Sequence, residues 1–413
     1  MFTTRRGALA VGALLAGAPL LLSGCAAGSE TTEDATSEIV VWADAERIEG
    51  LTAVAKEFEE EKGVTVKLVL KDFTTVFDDF TTQVPTGNGP DILVTPHNTI
   101  GAMVTNGVIA PIELGTKASE FEDVAVQAFT YEGKVYGLPY AIENIALLRN
   151  TELSPTLPAT FDEAIEIGQA SVASGASTMP LAVGLDPVAG DPYHLYPLQT
   201  SLGAPVFGLD ADGGFDPDNL TLDNEGGQEF AKKLAEWGAT GVLNPDVTGD
   251  IALETFLAGK TPFFLTGPWN LPAIRDAGIP YSIDIIPTTG SEVASPFAGV
   301  NGFVISSKSK NPVAANDFVV NFLSQESVQT ELYEIGGRPP ALTAALEKAA
   351  DDPDVQAFGA VGATAVPMPA IPAMGSVWED WGKTEMAIIR GEGDPVELWL
   401  AMAEKIRDKI AAS

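Results

Sequence analysis

Between residues 38 and 95 the hydrophobic pattern switches repeatedly between two periods, and this switching restricts the fold more than any other feature of the chain. EIVVWA, residues 38–43, is a short β-branched run. Leu51, Val54, Ala55 and Phe58 then recur at helical spacing until Gly63 ends the pattern, and VTVKLVL follows at once. Val76, Phe77 and Phe80 mark a second helix, and a Pro/Gly loop at 85–90 leads into DILVT. Strand, helix, strand, helix, strand is the pattern of parallel strands joined by right-handed crossovers. It predicts an α/β sheet covered by helices on both faces.

The alternation continues past Leu147. Thr160 with Glu163 forms a capping box for a helix through Ile165 and Ile167. Asn311 with Pro312 opens another through Phe318, Val319 and Phe322, and Asp394 with Pro395 opens the last. A chain of 413 residues is long enough for two sizeable cores, yet no internal repeat and no long linker interrupt residues 38–413. Two α/β lobes without a linker imply that the chain crosses between them more than once.

The start of the chain has a different character. Arg5 and Arg6 precede an uncharged apolar run from Ala8 to Leu22, and the small residues Ser23 and Gly24 precede Cys25. The run falls short of the about 20 residues that a membrane-spanning helix needs, so residues 1–24 read as an export signal, with a short anchor helix as the alternative. LSGC resembles the lipobox of bacterial lipoproteins, whose cysteine becomes lipid-modified and the first residue of the mature protein. Cys25 is the only cysteine, so no disulfide forms within the chain, and a lipid attachment point explains its presence where a chance cysteine explains nothing. Residues 25–37, rich in Gly, Ser, Thr and acids, then read as a flexible tether. The paired arginines leave both the general and the twin-arginine export routes open.

Charge and motif content exclude several functions. The formal charge of -34 repels phosphate backbones and argues against nucleic acid as a partner. AGKT at 258–261 resembles the tail of a phosphate-binding loop, but Glu254 stands where the loop's first glycine belongs. With only His97 and His194 in the chain, a histidine-based metal site or catalytic triad is poorly supplied, and neither a GxSxG nor an HExxH motif occurs. LDADGGFDPDN at 209–219 departs from a calcium loop and reads as a surface turn. What stands out is a set of aromatics in polar, Pro- or Gly-rich settings: Trp42, Tyr193 in DPYHLYP, Trp269 in TGPWN, and Trp378 and Trp381 in SVWEDW. Each is a candidate core residue as well as a candidate platform for a ligand.

Six motifs in order carry a resemblance over nearly the whole mature chain: VVWADAE at the first strand, TGNGPDI at 86–92, GKVYGLPYAIE at 133–143, GKTPFFLTGPWN at 259–270, GGRPPA at 336–341 and MPAIPAMGSVW at 368–378. The chain resembles the extracellular solute-binding proteins of ABC importers, in their maltose- and oligosaccharide-binding branch. The resemblance implies an α/β, type II periplasmic-binding-protein-like clamp, each lobe a mostly parallel sheet flanked by helices. It assigns residues 38–141 and 301–350 to an N-terminal lobe and 142–300 and 351–413 to a C-terminal lobe. Hinge crossings are implied near Ala141–Asn144, Phe297–Val300 and residues 350–354.

By the same resemblance, Asp44, Glu46, Arg47, His97 and Asn98 line the first lobe, Glu143 sits at the hinge, and Asp191, Tyr193, Trp269 and Trp378 face them from the second. The expected ligand is a neutral carbohydrate: pyranose C–H faces pack on indole and phenol rings while the hydroxyls bond to carboxylates. Thr95 stands where an aromatic platform is usual, Leu271 replaces a second tryptophan, and Glu379 replaces a common tyrosine. These departures point to maltose or another short oligosaccharide. The implied partners are permease subunits and, through the anchor, the outer face of the cytoplasmic membrane; the protein is expected to be a monomer and to use no cofactor and no metal. A receptor of the same fold for a polyamine, metal chelate or peptide, and a secreted sugar-processing enzyme with paired carboxylates, are the competing readings.

Overall fold

The structure, a computed structural model, describes residues 38–412. The export signal, Cys25 and the tether lie outside the described residues.

The N-terminal alternation forms as its pattern requires. Strand β1 (Glu38–Ala43) is followed by helix α1 (Ala45–Lys62), β2 (Thr65–Leu70), α2 (Val76–Gln83) and β3 (Ile92–Pro96). Asp44 caps α1 by accepting from the Glu46 amide, and Gly63 ends it in the left-handed conformation. β1 pairs in parallel with β2 from Glu38 opposite Thr65 to Ala43 opposite Leu70, and with β3 through Val41 and Trp42. The C-terminal ends of the three strands therefore lie along one edge, where open α/β sheets present their crevice. Trp42 belongs to the core: it is buried, with Phe80 edge-on to its ring.

The long strand Phe297–Ser306 completes this seven-stranded sheet. It runs antiparallel to β3 and to the Gly137–Glu143 strand, and parallel to the short Val366–Pro367 strand. The sheet is thus mixed. A second sheet consists of Ala146–Asn150 flanked by Phe263–Thr266 and Tyr281–Asp284, and both pairings are antiparallel. Here the expectation of a mostly parallel sheet in each lobe is corrected. ALLRN and FFLT are buried on both faces, and such runs carry no direction, which follows instead from how the intervening chain returns.

The apolar interior is divided. One core combines residues 39–141 with 300–345, and two further clusters combine residues 145–297 with 358–406. The chain passes from the first to the others between Ala141 and Ile145 and back between Phe297 and Val300. Its third passage is pinned by charge: Arg275 pairs with Asp352 and Asp354 at 2.7 and 2.6 Å, and Tyr333 and Tyr281 donate to the same two carboxylates. The capping box forms as read, with Thr160 accepting from the Glu163 amide while the Glu163 carboxylate accepts from Ala159. Asp394 caps the last helix, Pro395–Ala412, by accepting from Val396 and Glu397. The acidic stretch at 209–219 is the turn of a hairpin between Phe207–Leu209 and Phe215–Leu220.

Candidate functional site

At the crevice edge of the first sheet, the buried side chains are charged. Arg47, one turn into α1, donates to Asp44 at 2.5 Å and to Asn301 at 2.6 Å. Burial works against the Arg47 charge, but the field of Asp44, with Glu143 and Glu46, outweighs it and holds the guanidinium above its ordinary value. Arg338, also buried, donates from Nε to Glu143 at 2.8 Å and from Nη2 to the more exposed Glu46 at 2.7 Å. Two buried cations are therefore matched by three carboxylates, which is the condition for charges to tolerate burial.

His97 follows β3 and joins the two sides of the molecule. Its Nδ1 accepts from the Val300 amide at 3.1 Å, which leaves Nε2 to donate to the Met368 carbonyl at 3.0 Å. Burial pushes the ring's pKa down to about 4 against these bonds, so His97 is neutral near pH 7. Both ring nitrogens are committed to backbone; His97 braces the site and offers no free polar atom. Asn98 beside it is buried with Oδ1 unpartnered.

The opposing side is aromatic. Asp191 caps the helix Pro192–Thr200 by accepting from the His194 amide, and its carboxylate lies 2.7 Å from His194 Nδ1. Burial opposes a charge on His194, and Asp191 overrides it, so the imidazole titrates above its usual value. Tyr193 stacks on Phe297 with ring centres 6.1 Å apart and lies 6.5 Å from Trp269, while His194 meets Trp269 edge-on at 5.7 Å. Trp269 lies flat on Gly267, where any Cβ would stand about 2.0 Å from the indole, so only glycine permits this ring position. Trp378 stacks on Trp381 at 5.6 Å and meets Phe297 at 6.0 Å. Tyr193, Trp269 and Trp378 are all half-buried.

The two sides meet. The Arg338 guanidinium stands 5.4 Å from the Trp269 ring centre, and Gly299 passes between the Tyr193 hydroxyl and Glu143, leaving a Cβ only 3.1 and 3.2 Å from them. The structure thus joins Asp44, Glu46, Arg47, Glu143, Trp269, Tyr193 and Asp191 in one chain of contacts, with Trp378 attached through Phe297. No hydrogen bond ties Asn98 into it. Sequence reasoning missed Arg338, Asn301, His194 and Phe297. A lone asparagine within FAGVNGFVIS and a cation between two glycines and two prolines were the available signals.

Several buried polar atoms of this constellation have no protein partner: Arg47 Nε, Asn301 Nδ2, Tyr193 OH and Trp378 Nε1. Burial, with Glu143 adding to it, pushes the Tyr193 phenol well above its ordinary pKa, so it remains a donor. Unmatched donors beside half-buried aromatic rings suit a ligand that is apolar on its face and rich in hydroxyl oxygens on its rim. Among the described residues, no three His, Cys, Asp or Glu side chains are grouped to hold a metal ion. Of the three departures noted in the sequence, Thr95 and Leu271 are buried, and Glu379 pairs with Lys383 and Lys409 at the surface.

Residues 53–360 match the model of a family of bacterial extracellular solute-binding proteins. The chain belongs to that family. It is 29% identical to a galactooligosaccharide-binding protein of Bacillus subtilis over 97% of this chain and 96% of that protein. It is 30% identical to the maltodextrin-binding protein MdxE of the same organism, over 87% and 88%. A maltooligosaccharide ABC transporter solute-binding lipoprotein of Streptococcus pneumoniae is 28% identical over 91% of both chains. Among solved structures, the Thermus thermophilus maltotriose-binding protein bound with maltotriose superposes with a TM-score of 0.80 at 28% identity, covering 90% of this chain and all of that one. The solute-binding protein therefore has the two-lobed type II periplasmic-binding fold.

Proposed function

We propose that this solute-binding protein captures a short neutral oligosaccharide, of the maltose or a related series, between its lobes and delivers it to the permease of an ABC importer. The observation that carries this reading is the gathering of half-buried Tyr193, Trp269 and Trp378 with buried donors that have no protein partner, Arg47 Nε, Asn301 Nδ2, Tyr193 OH and Trp378 Nε1. Stacking supplies contact area, and Glu46, Glu143, Arg47 and Arg338 fix hydroxyl orientation through charge-assisted bonds. The lobes are residues 38–141 with 301–350 and 142–300 with 351–413, swinging about the three chain passages so that ligand energy selects the closed state. The names of the relatives support the sugar class, and the lipoprotein among them supports an anchor at Cys25 that holds a monomer at the outer face of the cytoplasmic membrane.

A panel of malto- and galacto-oligosaccharides tests the reading through tryptophan fluorescence and melting temperature. A bound sugar at 100 times its Kd stabilises by about 2.7 kcal/mol. Absence of both responses across the panel, with a response to spermidine or a ferric chelate instead, would transfer the site to a non-sugar ligand. Recovery of Cys25→Ser in the membrane fraction would remove the anchor.

A further inference from the structure

Phe73 is 53% exposed, the one aromatic among the large apolar side chains that the described residues leave in solvent. A single exposed apolar residue is ordinary. This one has an unusual seat. It follows the C-terminal end of β2, on the same edge of the parallel sheet from which β1 presents Asp44 and Arg47 and β3 presents His97. Its ring stands 5.3 Å from the guanidinium carbon of Arg47, one of whose nitrogens is buried without a partner.

The turn that carries the ring is tied down on both sides. The Lys71 amide donates to the Ala43 carbonyl at 2.8 Å, and the Lys71 ammonium binds Asp79 at 2.8 Å while lying 3.9 Å over the Trp42 ring. Asp72 accepts from both the amide and the hydroxyl of Thr74, at 2.8 and 2.6 Å. An aromatic face held open on an ordered turn loses little freedom when a ligand covers it, which is what makes a ring effective as a platform.

Resting on the sugar reading above, we infer that Phe73 is the first lobe's aromatic platform, stacking on a sugar unit at the outer end of the chain and favouring trisaccharides over disaccharides. The ring then performs, from the β2–α2 turn, the task for which Thr95 lacks a side chain; Thr95 is buried and cannot perform it. Arg47 lies beneath the ring and backs the face that the sugar does not cover. The position at the rim of the crevice, above the buried Arg47, makes the contribution grow with ligand length.

The test compares the unmodified full chain with Phe73→Ala and Phe73→Tyr, titrated by calorimetry with maltose, maltotriose, galactobiose and galactotriose. Phe73→Ala is expected to weaken the bound trisaccharide by about five- to tenfold, about 1.0 to 1.4 kcal/mol, and the matching disaccharide less than twofold. Phe73→Tyr keeps a stacking face and retains trisaccharide affinity. An unchanged trisaccharide affinity in Phe73→Ala, or equal loss for both lengths, overturns the inference while leaving the sugar reading standing. If the unmodified protein binds none of the four sugars, the sugar reading fails and takes this inference with it.

Discussion

The two walls of the proposed cleft use opposite chemistry. On the first, Asp44, Arg47, Asn301, Arg338, Glu143 and Glu46 form a connected set of ion pairs and hydrogen bonds, most of it buried. On the second, Tyr193, Phe297, Trp269 and Trp378 stack ring on ring with few polar bonds. A charge can be buried only when matched, so losing one member of the first wall strands another inside the fold. Indole and phenol rings tolerate partial exposure, so the second wall can leave faces free for a guest. If the proposed site is right, binding and stability are distributed unequally: removing a member of the polar wall should damage the fold first, and removing a ring should damage affinity first.

The largest expected effect comes from breaking the polar wall. Arg338→Met leaves the buried Glu143 carboxylate without its hydrogen-bonded counter-ion, and equilibrium denaturation should show a loss of about 3–5 kcal/mol. Adding Glu143→Gln to it should restore a large part. A single-variant loss below about 1 kcal/mol would mean that the first wall is no more structural than the second.

A smaller effect, of a different kind, is expected on the aromatic wall. Trp269→Ala should weaken sugar binding by ten- to a hundredfold, about 1.4–2.8 kcal/mol, while melting stays cooperative. Loss of cooperative folding would instead make the ring a core element and erase the contrast between the walls.

The smallest effect sharpens the comparison through its exception. Glu385, on the helix Trp378–Ile389 behind the aromatic wall, is 0% exposed and has no hydrogen-bond partner at either carboxylate oxygen. Burial first, and then the nearby Asp191 charge, hold its pKa well above the ordinary carboxylate range; the Trp381 indole acts oppositely without reaching hydrogen-bond geometry. The folded state keeps this proton where the unfolded chain has released it. Stability is therefore greatest below the unfolded pKa and falls as pH rises towards the folded one. Glu385→Gln removes that slope, so its melting temperature should match the parent near pH 4 and exceed it by about 2 °C at pH 7.5. A constant difference across that range would show that Glu385 is ionised in the fold.

Many of the elements were legible because their signals are local. The period changes through Leu51, Val54 and Phe58, the Gly63 stop, and the Thr160–Glu163 box all act within a few residues of the groups they organise. The direction of the second sheet was not legible, since ALLRN reads alike in either orientation. Of the site, Tyr193, Trp269 and Trp378 stood out by their polar surroundings. His97 stood out as well, yet its nitrogens meet backbone 203 and 271 residues away, and no nearby residue announces that. Arg338 escaped notice because its partner Glu46 lies 292 residues earlier.

By itself, then, the sequence determined the elements, their caps and which faces are apolar, because hydrogen bonds and side-chain spacing within a turn or strand are set by neighbours in the chain. Only the tertiary structure decided that Arg338 reaches Glu143 and the Trp269 ring, that His97 is spent as a brace, and that Phe73 stays open over Arg47. Those outcomes depend on charges and rings meeting across tens to hundreds of residues, where burial sets the strength of each contact and only folding sets the distance.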